Sequence, residues 1–331
     1  MLKIGVIGVG HLGKVHTKLW KEVHGVEVIG LFDANIDEAT RVAAEHGVKA
    51  FKDVDQLIRE VDGLSIVTPT FAHFEVAKLA IENNKHVLIE KPITTTIAEA
   101  EELIGLAMKH TVKIQVGHIE RFNPALIAVE PFITKPRFFE SHRLAQFKPR
   151  GTDVAVVLDL MIHDIDVILS LAKSEVTSVD ASGVTVVSDE IDIANARIKF
   201  GNGAVANVTA SRISQNPMRK LRIFERDAYL SVDFAAKSAE IFHLVGADEA
   251  SESKSLQFNL GEIERAEKKL HIIYEKPDIG EFNPLKYELE LFRDAIIHDT
   301  FPIVSGEDGL AALDVAEKIM ASIKENAARQ N

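Results

Sequence analysis

Asp159 and His163 stand four residues apart in Val157-Leu-Asp159-Leu-Met-Ile-His163-Asp-Ile-Asp166. On a helix that spacing puts both side chains on one face, with Cβ atoms about 5–6 Å apart. A histidine that titrates near neutrality beside a carboxylate suits proton exchange with an alcohol. Asp166, three residues beyond, adjoins the same face and is placed to orient the histidine or to bind a hydroxyl. Lys91 follows an apolar run directly, in Glu90-Lys91-Pro92, and Pro92 restricts the backbone that aims it. Taken alone, a strand-end lysine is more often solvated surface. No second histidine stands at ligand spacing from His163, so no metal is expected.

A second group of residues is built for phosphate. Gly8, Gly10 and Gly13, with His11 and Leu12 between them, form a GxGxxG run after a short apolar strand. In such a run the first glycine turns the chain and the second lets a pyrophosphate approach the backbone. The third packs the helix on the sheet, and the helix N-terminus attracts the anion. Asp33 lies twenty residues past Gly13, at the end of the next apolar run. There a carboxylate accepts hydrogen bonds from an adenosine ribose and repels a 2′-phosphate. Ala34 and Asn35 supply no arginine for that phosphate, so NAD is favoured over NADP. Thr68, Pro69, Glu90 and Lys91 end later strands in the crevice where open α/β sheets bind ligands. His73 either contacts the cofactor or caps the helix that follows.

These residues need a scaffold, and the apolar pattern supplies one. Runs at 2–7, 26–32, 64–67, 86–89 and 113–116 read as strands, alternating with helical stretches. The runs are continuously apolar, as strands buried on both faces are. The expectation is a doubly wound parallel sheet of the Rossmann type over residues 1–121. Beyond Phe122 prolines punctuate the chain, and a long amphipathic segment, 152–172, carries Asp159 and His163. Alternating β-rich runs at 176–187, 191–200, 204–213 and 221–224 follow. They predict an α+β second domain, 122–331, with a large, open, mostly antiparallel sheet. Residues 246–270 read as a weakly specified strand-and-loop excursion, and helices at 284–298 and 307–327 close the chain.

Composition narrows the class. Of 331 residues, 46% are hydrophobic and 27% charged, the net charge is −12, and cysteine is absent. Acidity disfavours nucleic acid and anionic membranes as partners. The missing cysteines exclude disulfides, thiolate metal sites and thiol nucleophiles, and fit a soluble, cytoplasmic enzyme. No leader peptide is expected at Met1, and the apolar stretch 154–172 carries too many ionisable groups for a bilayer. One segment runs against the overall charge. Residues 135–150 hold Lys135, Arg137, Arg143, Lys148 and Arg150 against the single acid Glu140. A basic patch just before the Asp159 segment suits a diphosphate, with Arg143 and Arg150 as its ligands. Arg121 and Asn123 follow the last strand of the first domain and are candidates for sugar hydroxyls or for the nicotinamide side.

The glycine run, Glu90-Lys91-Pro92, the Asp159…His163 pair and the following sheet together resemble the Gfo/Idh/MocA family of sugar and inositol dehydrogenases. The resemblance extends to Pro284-Leu-Lys-Tyr-Glu-Leu-Glu-Leu-Phe and Pro302-Ile-Val-Ser-Gly-Glu-Asp-Gly-Leu near the end. It implies that Lys91, Asp159 and His163 form the catalytic set and that NAD is the cofactor. It also implies a cis Lys91–Pro92 peptide, and a homodimer or homotetramer built through the open sheet. Gly117–Pro124 and Asp153–Asp166 are similar to members of the family that oxidise a sugar nucleotide at a secondary hydroxyl, C3 of the sugar. The alternatives are a dehydrogenase of a free sugar or inositol, an NAD-dependent glycosidase and a non-enzymatic NAD sensor.

Overall fold

The computed structural model describes residues 1–148, 151–246, 256–265 and 268–329. The chain begins β1 (Leu2–Ile7), α1 (His11–Trp20), β2 (Val26–Phe32), α2 (Ile36–His46), β3 (Lys49–Ala50) and α3 (Val54–Glu60). It continues with β4 (Gly63–Ile66), α4 (His73–Glu82), β5 (His86–Glu90), α5 (Ile97–His110) and β6 (Ile114–Gly117). Next come α6 (Pro124–Val129), β7 (Phe138–Leu144) and α7 (Ile162–Ala172). Strands β8 (Val176–Val184), β9 (Ile193–Phe200), β10 (Val205–Ser211) and β11 (Met218–Phe224) follow, then β12 (Ala228–Asp233) and β13 (Ser238–Gly246). The last elements are β14 (Leu256–Arg265), β15 (Lys268–Lys276), α8 (Pro284–Ile297) and α9 (Gly306–Ala328). Two compact units result, one of residues 1–119 and 282–314, the other of 120–281 and 315–331.

In the first unit six parallel strands run in the order β3-β2-β1-β4-β5-β6. The order reverses between β1 and β4, so their carboxyl ends open the crevice of a doubly wound sheet. Helix ends follow local chemistry. Asn35 caps α2 by accepting from Glu38 N–H, and Thr96 and Glu99 form a reciprocal capping box on α5. Residues 282–314, assigned from the sequence to the second domain, belong here. Leu285, Leu289 and Phe292 of α8 join Trp20, Leu19 and Val23 in one buried core, with the Trp20 and Phe292 rings edge-on at 6.4 Å.

In the second unit nine strands run in the order β14-β15-β13-β12-β11-β7-β10-β9-β8. All pairings are antiparallel except β7 with β10. Strand β9 buries Ala194, Ala196 and Ile198 and exposes Asn195, Arg197 and Lys199, the alternation of a sheet covered on one face. On the other face a row of six rings crosses six strands in register. Phe138, Phe224, Tyr229, Phe242, Tyr274 and Phe258 are spaced 5.7, 5.0, 5.7, 4.8 and 6.2 Å apart.

The basic segment 135–150 contains a strand, β7. One sequence expectation changes here. Residues 152–172 do not form one amphipathic helix: Val157–Met161 is a π-turn, in which Ile162 N–H reaches the Val157 carbonyl. Helix α7 after it is buried nearly all round. Of the excursion expected at 246–270, the described residues form β14 and the start of β15. Among the described residues no helix is long and apolar enough to cross a membrane.

Candidate active site

The glycine loop leaves β1 and opens α1. Gly8 has φ +88°, and a Cβ there would meet the Val67–Thr68 backbone at 2.7 Å. At Gly13 a Cβ would stand 1.9 Å from the Gly8 carbonyl oxygen. Both positions are therefore glycine for reasons internal to the protein. Gly10 differs. Its φ is an ordinary −60°, and a Cβ would meet nothing within 4 Å. The space beside Gly10 is thus open, as the approach of a pyrophosphate requires. Helix α1 has no side-chain cap and no acidic residue in its first turn, so no side chain competes with an anion for its leading N–H groups, on exposed His11 and Leu12.

Asp33 Oδ2 accepts from Val9 N–H at 2.7 Å and Oδ1 from Asn35 N–H at 2.8 Å. These bonds fix the carboxylate at the lip of the loop, and each oxygen retains a lone pair for a ribose hydroxyl. The buried Thr68 hydroxyl makes no hydrogen bond with the described residues, and exposed Pro69 follows it. The open position at Gly10, the uncapped helix and this hydroxyl fit NAD.

His73, expected either to contact the cofactor or to cap the next helix, turns both ring nitrogens to backbone carbonyls instead. It is 1% exposed, and its ring nitrogens lie 2.9 Å from the Pro92 and Thr68 carbonyl oxygens. Burial pushes its pKa down despite those carbonyls, and a neutral ring donates to one of them at a time. His73 is a strut joining the loops after β4 and β5. The Lys91–Pro92 peptide it touches is cis. Glu90, at the end of β5, accepts from His16 Nε2 at 3.1 Å through Oε1 and from Lys91 N–H at 3.3 Å through Oε2. Burial works to raise the Glu90 pKa. The His16 hydrogen bond, the Lys91 charge and the Lys91 N–H bond outweigh it, and the carboxyl stays below its usual range.

In the second unit the π-turn carries Asp159, and His163 lies in the first turn of α7. Both are half-buried. A wide turn of this kind recurs at functional sites. Gly151 runs close under the carboxylate, since a Cβ there would stand 3.5 Å from Asp159 Oδ2. Buried Arg212 ties that segment down, donating to the Gly151 carbonyl at 2.6 Å and to the Val154 carbonyl.

The two acids that follow His163 on α7 are committed to arginines. Asp166, 1% exposed, accepts two parallel bonds from Arg121 at 2.8 and 3.0 Å, so the two residues expected to bind substrate also bind each other. Asp164 accepts from Arg143 Nε at 2.5 Å and from Ser141 at 2.7 Å, while Arg143 Nη1 donates to Glu120 at 2.9 Å. Arg143 is 3% exposed. Burial opposes its charge, but Asp164 and Glu120 outweigh that and hold its pKa up. It is therefore an internal clamp, not the expected diphosphate ligand.

Asn123 is also redirected. Its Oδ1 accepts from Ala125 N–H to cap α6, and its Nδ2 donates to Glu120 and to the Phe234 carbonyl. Arg150 lies outside the described residues. Sequence reasoning did not single out Arg219. It faces Arg143 across the β7–β11 register, keeps 53% of its side chain exposed, and reaches Glu120 only at 4.0 Å. Glu120, Asp164, His16 and Arg212 were missed as well. One signal existed: an acid such as Asp164 on a helix of nearly unbroken apolar residues requires a cation.

Comparison with known proteins agrees with this geometry. Residues 2–118 match the oxidoreductase family with an NAD-binding Rossmann fold, and residues 133–230 match the GFO/IDH/MocA C-terminal domain. A UDP-N-acetylglucosamine 3-dehydrogenase of Acidithiobacillus ferrooxidans is 45% identical over 243 residues, 73% of this chain and 77% of that one. Its solved structure superposes with a TM-score of 0.86 over 98% of both chains, at 37% identity. A myo-inositol 2-dehydrogenase of Thermotoga maritima is 26% identical over 98% of this chain and 97% of its own. A scyllo-inositol dehydrogenase of Lactobacillus casei, solved with NAD(H) and scyllo-inositol, shares the fold at TM-score 0.78 and 21% identity over 98% of both chains. With a phosphate cradle in one unit and a carboxylate–histidine turn on a mostly antiparallel sheet in the other, the chain belongs to the GFO/IDH/MocA family of NAD-binding oxidoreductases.

Proposed function

We propose that this enzyme oxidises the C3 hydroxyl of a UDP-linked N-acetylhexosamine, UDP-N-acetylglucosamine, to the 3-keto sugar. The observation that carries the reading is the 45% identity to a UDP-N-acetylglucosamine 3-dehydrogenase over most of both chains. Bound NAD supplies the acceptor for the hydride leaving C3. His163 accepts the hydroxyl proton, Asp159 orients and tunes it, and Lys91 hydrogen-bonds the reacting oxygen as charge develops there. Lys91 and His163 are both able to exchange a proton with the alcohol, and the pH profiles of their single variants separate the two roles.

For the diphosphate, Arg219 takes the place expected of Arg143. It is an exposed guanidinium on the sheet face that holds Arg143, and its ion pair is loose. The six-ring row on the opposite face supports a homodimer or homotetramer through the sheet, because half-exposed aromatic rows are partner surfaces. Cytoplasmic placement fits the lack of cysteine.

The test mixes NAD-loaded enzyme with a stoichiometric amount of UDP-N-acetylglucosamine and follows reduced nicotinamide by absorbance. A burst is expected. No burst from enzyme confirmed to hold oxidised NAD contradicts the proposal and favours neutral sugars or inositols.

A further inference from the structure

Four side chains of the first unit form a chain of hydrogen bonds that ends at Lys91. Trp20 Nε1 donates to Ser65 Oγ at 2.7 Å, Ser65 Oγ lies 3.4 Å from His16 Nδ1, and His16 Nε2 lies 3.1 Å from Glu90 Oε1. Glu90 Oε2 then accepts from Lys91 N–H. Trp20, Ser65 and His16 are 0% exposed, so an unmatched donor or acceptor among them would be costly.

The polarity of this chain is dictated from both ends. An indole N–H only donates, so Ser65 accepts from Trp20, and among the described residues the acceptor within reach of its own hydroxyl proton is His16 Nδ1. An ionised carboxylate only accepts, so His16 must donate to Glu90. One arrangement satisfies every donor and acceptor in the chain, with the proton on Nε2 and Nδ1 as acceptor. Room for the carboxylate is also reserved, because a Cβ on Gly117 would fall 2.9 Å from it. On the far side of the same dipeptide, His73 holds the Pro92 carbonyl. Lys91–Pro92 is thus gripped at its leading N–H and at its trailing C=O by side chains from α1, β5 and α4.

We propose that the Trp20–Ser65–His16–Glu90 chain is a positioning device for Lys91, fixing one His16 tautomer and through it the Glu90 carboxylate on the Lys91 backbone. The proposal rests on the reading of Lys91 as a catalytic residue. His16 and Glu90 act through Lys91, as positioning residues. The charged and titratable groups facing Glu90 are His16, Lys91 and His73.

Two measurements test it, both on the full-length enzyme with NAD bound. The first is the nitrogen NMR spectrum of the imidazoles, with His16 identified by the resonance lost in His16→Gln. A ring protonated at Nε2 alone is expected, and protonation at Nδ1 overturns the proposal without reference to activity. In the second, His16→Leu should lower kcat about 10- to 100-fold, the penalty of a slightly misplaced reacting group, with the NAD dissociation constant unchanged. His16→Gln keeps a donor near Nε2 and should recover most of the loss. Equal kcat in wild type and His16→Leu overturns the proposal. If His16→Leu fails to fold, the wild-type tautomer and His16→Gln decide. Should Lys91→Ala turn over normally while Nε2 is protonated, the reading of Lys91 fails and the hydrogen-bond chain stands.

Discussion

The two units handle charge in opposite ways. In the first, what is offered to an anion belongs to the backbone, as open space at Gly10 and the leading N–H groups of a helix without a side-chain cap. In the second, ionic side chains crowd one place, and most of the charge is spent internally. Arg121 lies on Asp166, and Arg143 bridges Glu120 to Asp164. A backbone cradle tolerates change wherever no Cβ collides. A buried ionic clamp tolerates little, because removing one partner strands the other without water.

Substitutions can break or sharpen that contrast. The largest loss of activity is expected at Lys91, where Lys91→Ala should lower kcat by about 10²–10⁴-fold, the usual range for a group that exchanges a proton with substrate. NAD titration followed by fluorescence should show nearly unchanged affinity. A parallel loss of affinity would place Lys91 with the cofactor. Next is the clamp. Arg143→Met leaves buried Asp164 with the Ser141 hydroxyl but no cation, and Glu120 with only the loose Arg219 pair, at a cost of about 3–5 kcal/mol, readable in urea unfolding. Arg219→Ala, its neighbour across the register, should leave stability within about 1 kcal/mol, since its ion pair is exposed. The same change should raise the KM for the sugar nucleotide about 10-fold, as loss of a charge-assisted hydrogen bond does. If the two variants behave alike, the division between clamp and ligand fails.

Within the cradle, Gly13→Ala and Gly10→Ala should part company. The first forces a Cβ onto the Gly8 carbonyl and should cost about 1–3 kcal/mol of stability. The second meets no protein atom within 4 Å, so stability should stay within about 0.5 kcal/mol while NAD affinity falls. The smallest effect belongs to Glu90. Its folded pKa lies below the ordinary 4.5, so the stability it contributes is complete above pH 4.5. That contribution is lost as pH falls through the lower, folded value. The Tm gap between wild type and Glu90→Gln should therefore be widest above pH 4.5 and close on acidification.

What the sequence reveals divides along the same line. Gly8, Gly10, Gly13 and Asp33 are legible because their work is local, set by spacing along a strand, a turn and a helix. Lys91 at its strand end reads alone as surface, and it is the family resemblance of Glu90-Lys91-Pro92 that singles it out. His16 and Glu90 are 74 residues apart, and nothing in the neighbourhood of either announces the other. Arg143 was misread for a related reason. In Phe138-Phe-Glu-Ser-His-Arg-Leu144 the inward positions are Phe139, Ser141 and Arg143, so polar residues occupy the buried face and hide both the strand and its orientation. The buried arginine then passes for a surface cation. Helix α8 was legible as a helix, but its apolar stripe does not say which core receives it, and Trp20 does. The π-turn was not legible, since its extra residue leaves Asp159 and His163 four apart as in an ordinary helix.

The most direct test of the proposed reaction follows the hydrogen that leaves the sugar. UDP-N-acetylglucosamine carrying deuterium only at C3 is mixed with NAD-loaded enzyme, and the reduced nicotinamide is examined by mass spectrometry after one turnover. The account predicts that the cofactor gains the deuterium and that the sugar product loses it. Reduced cofactor free of deuterium would place the oxidation at another carbon and contradict the assignment.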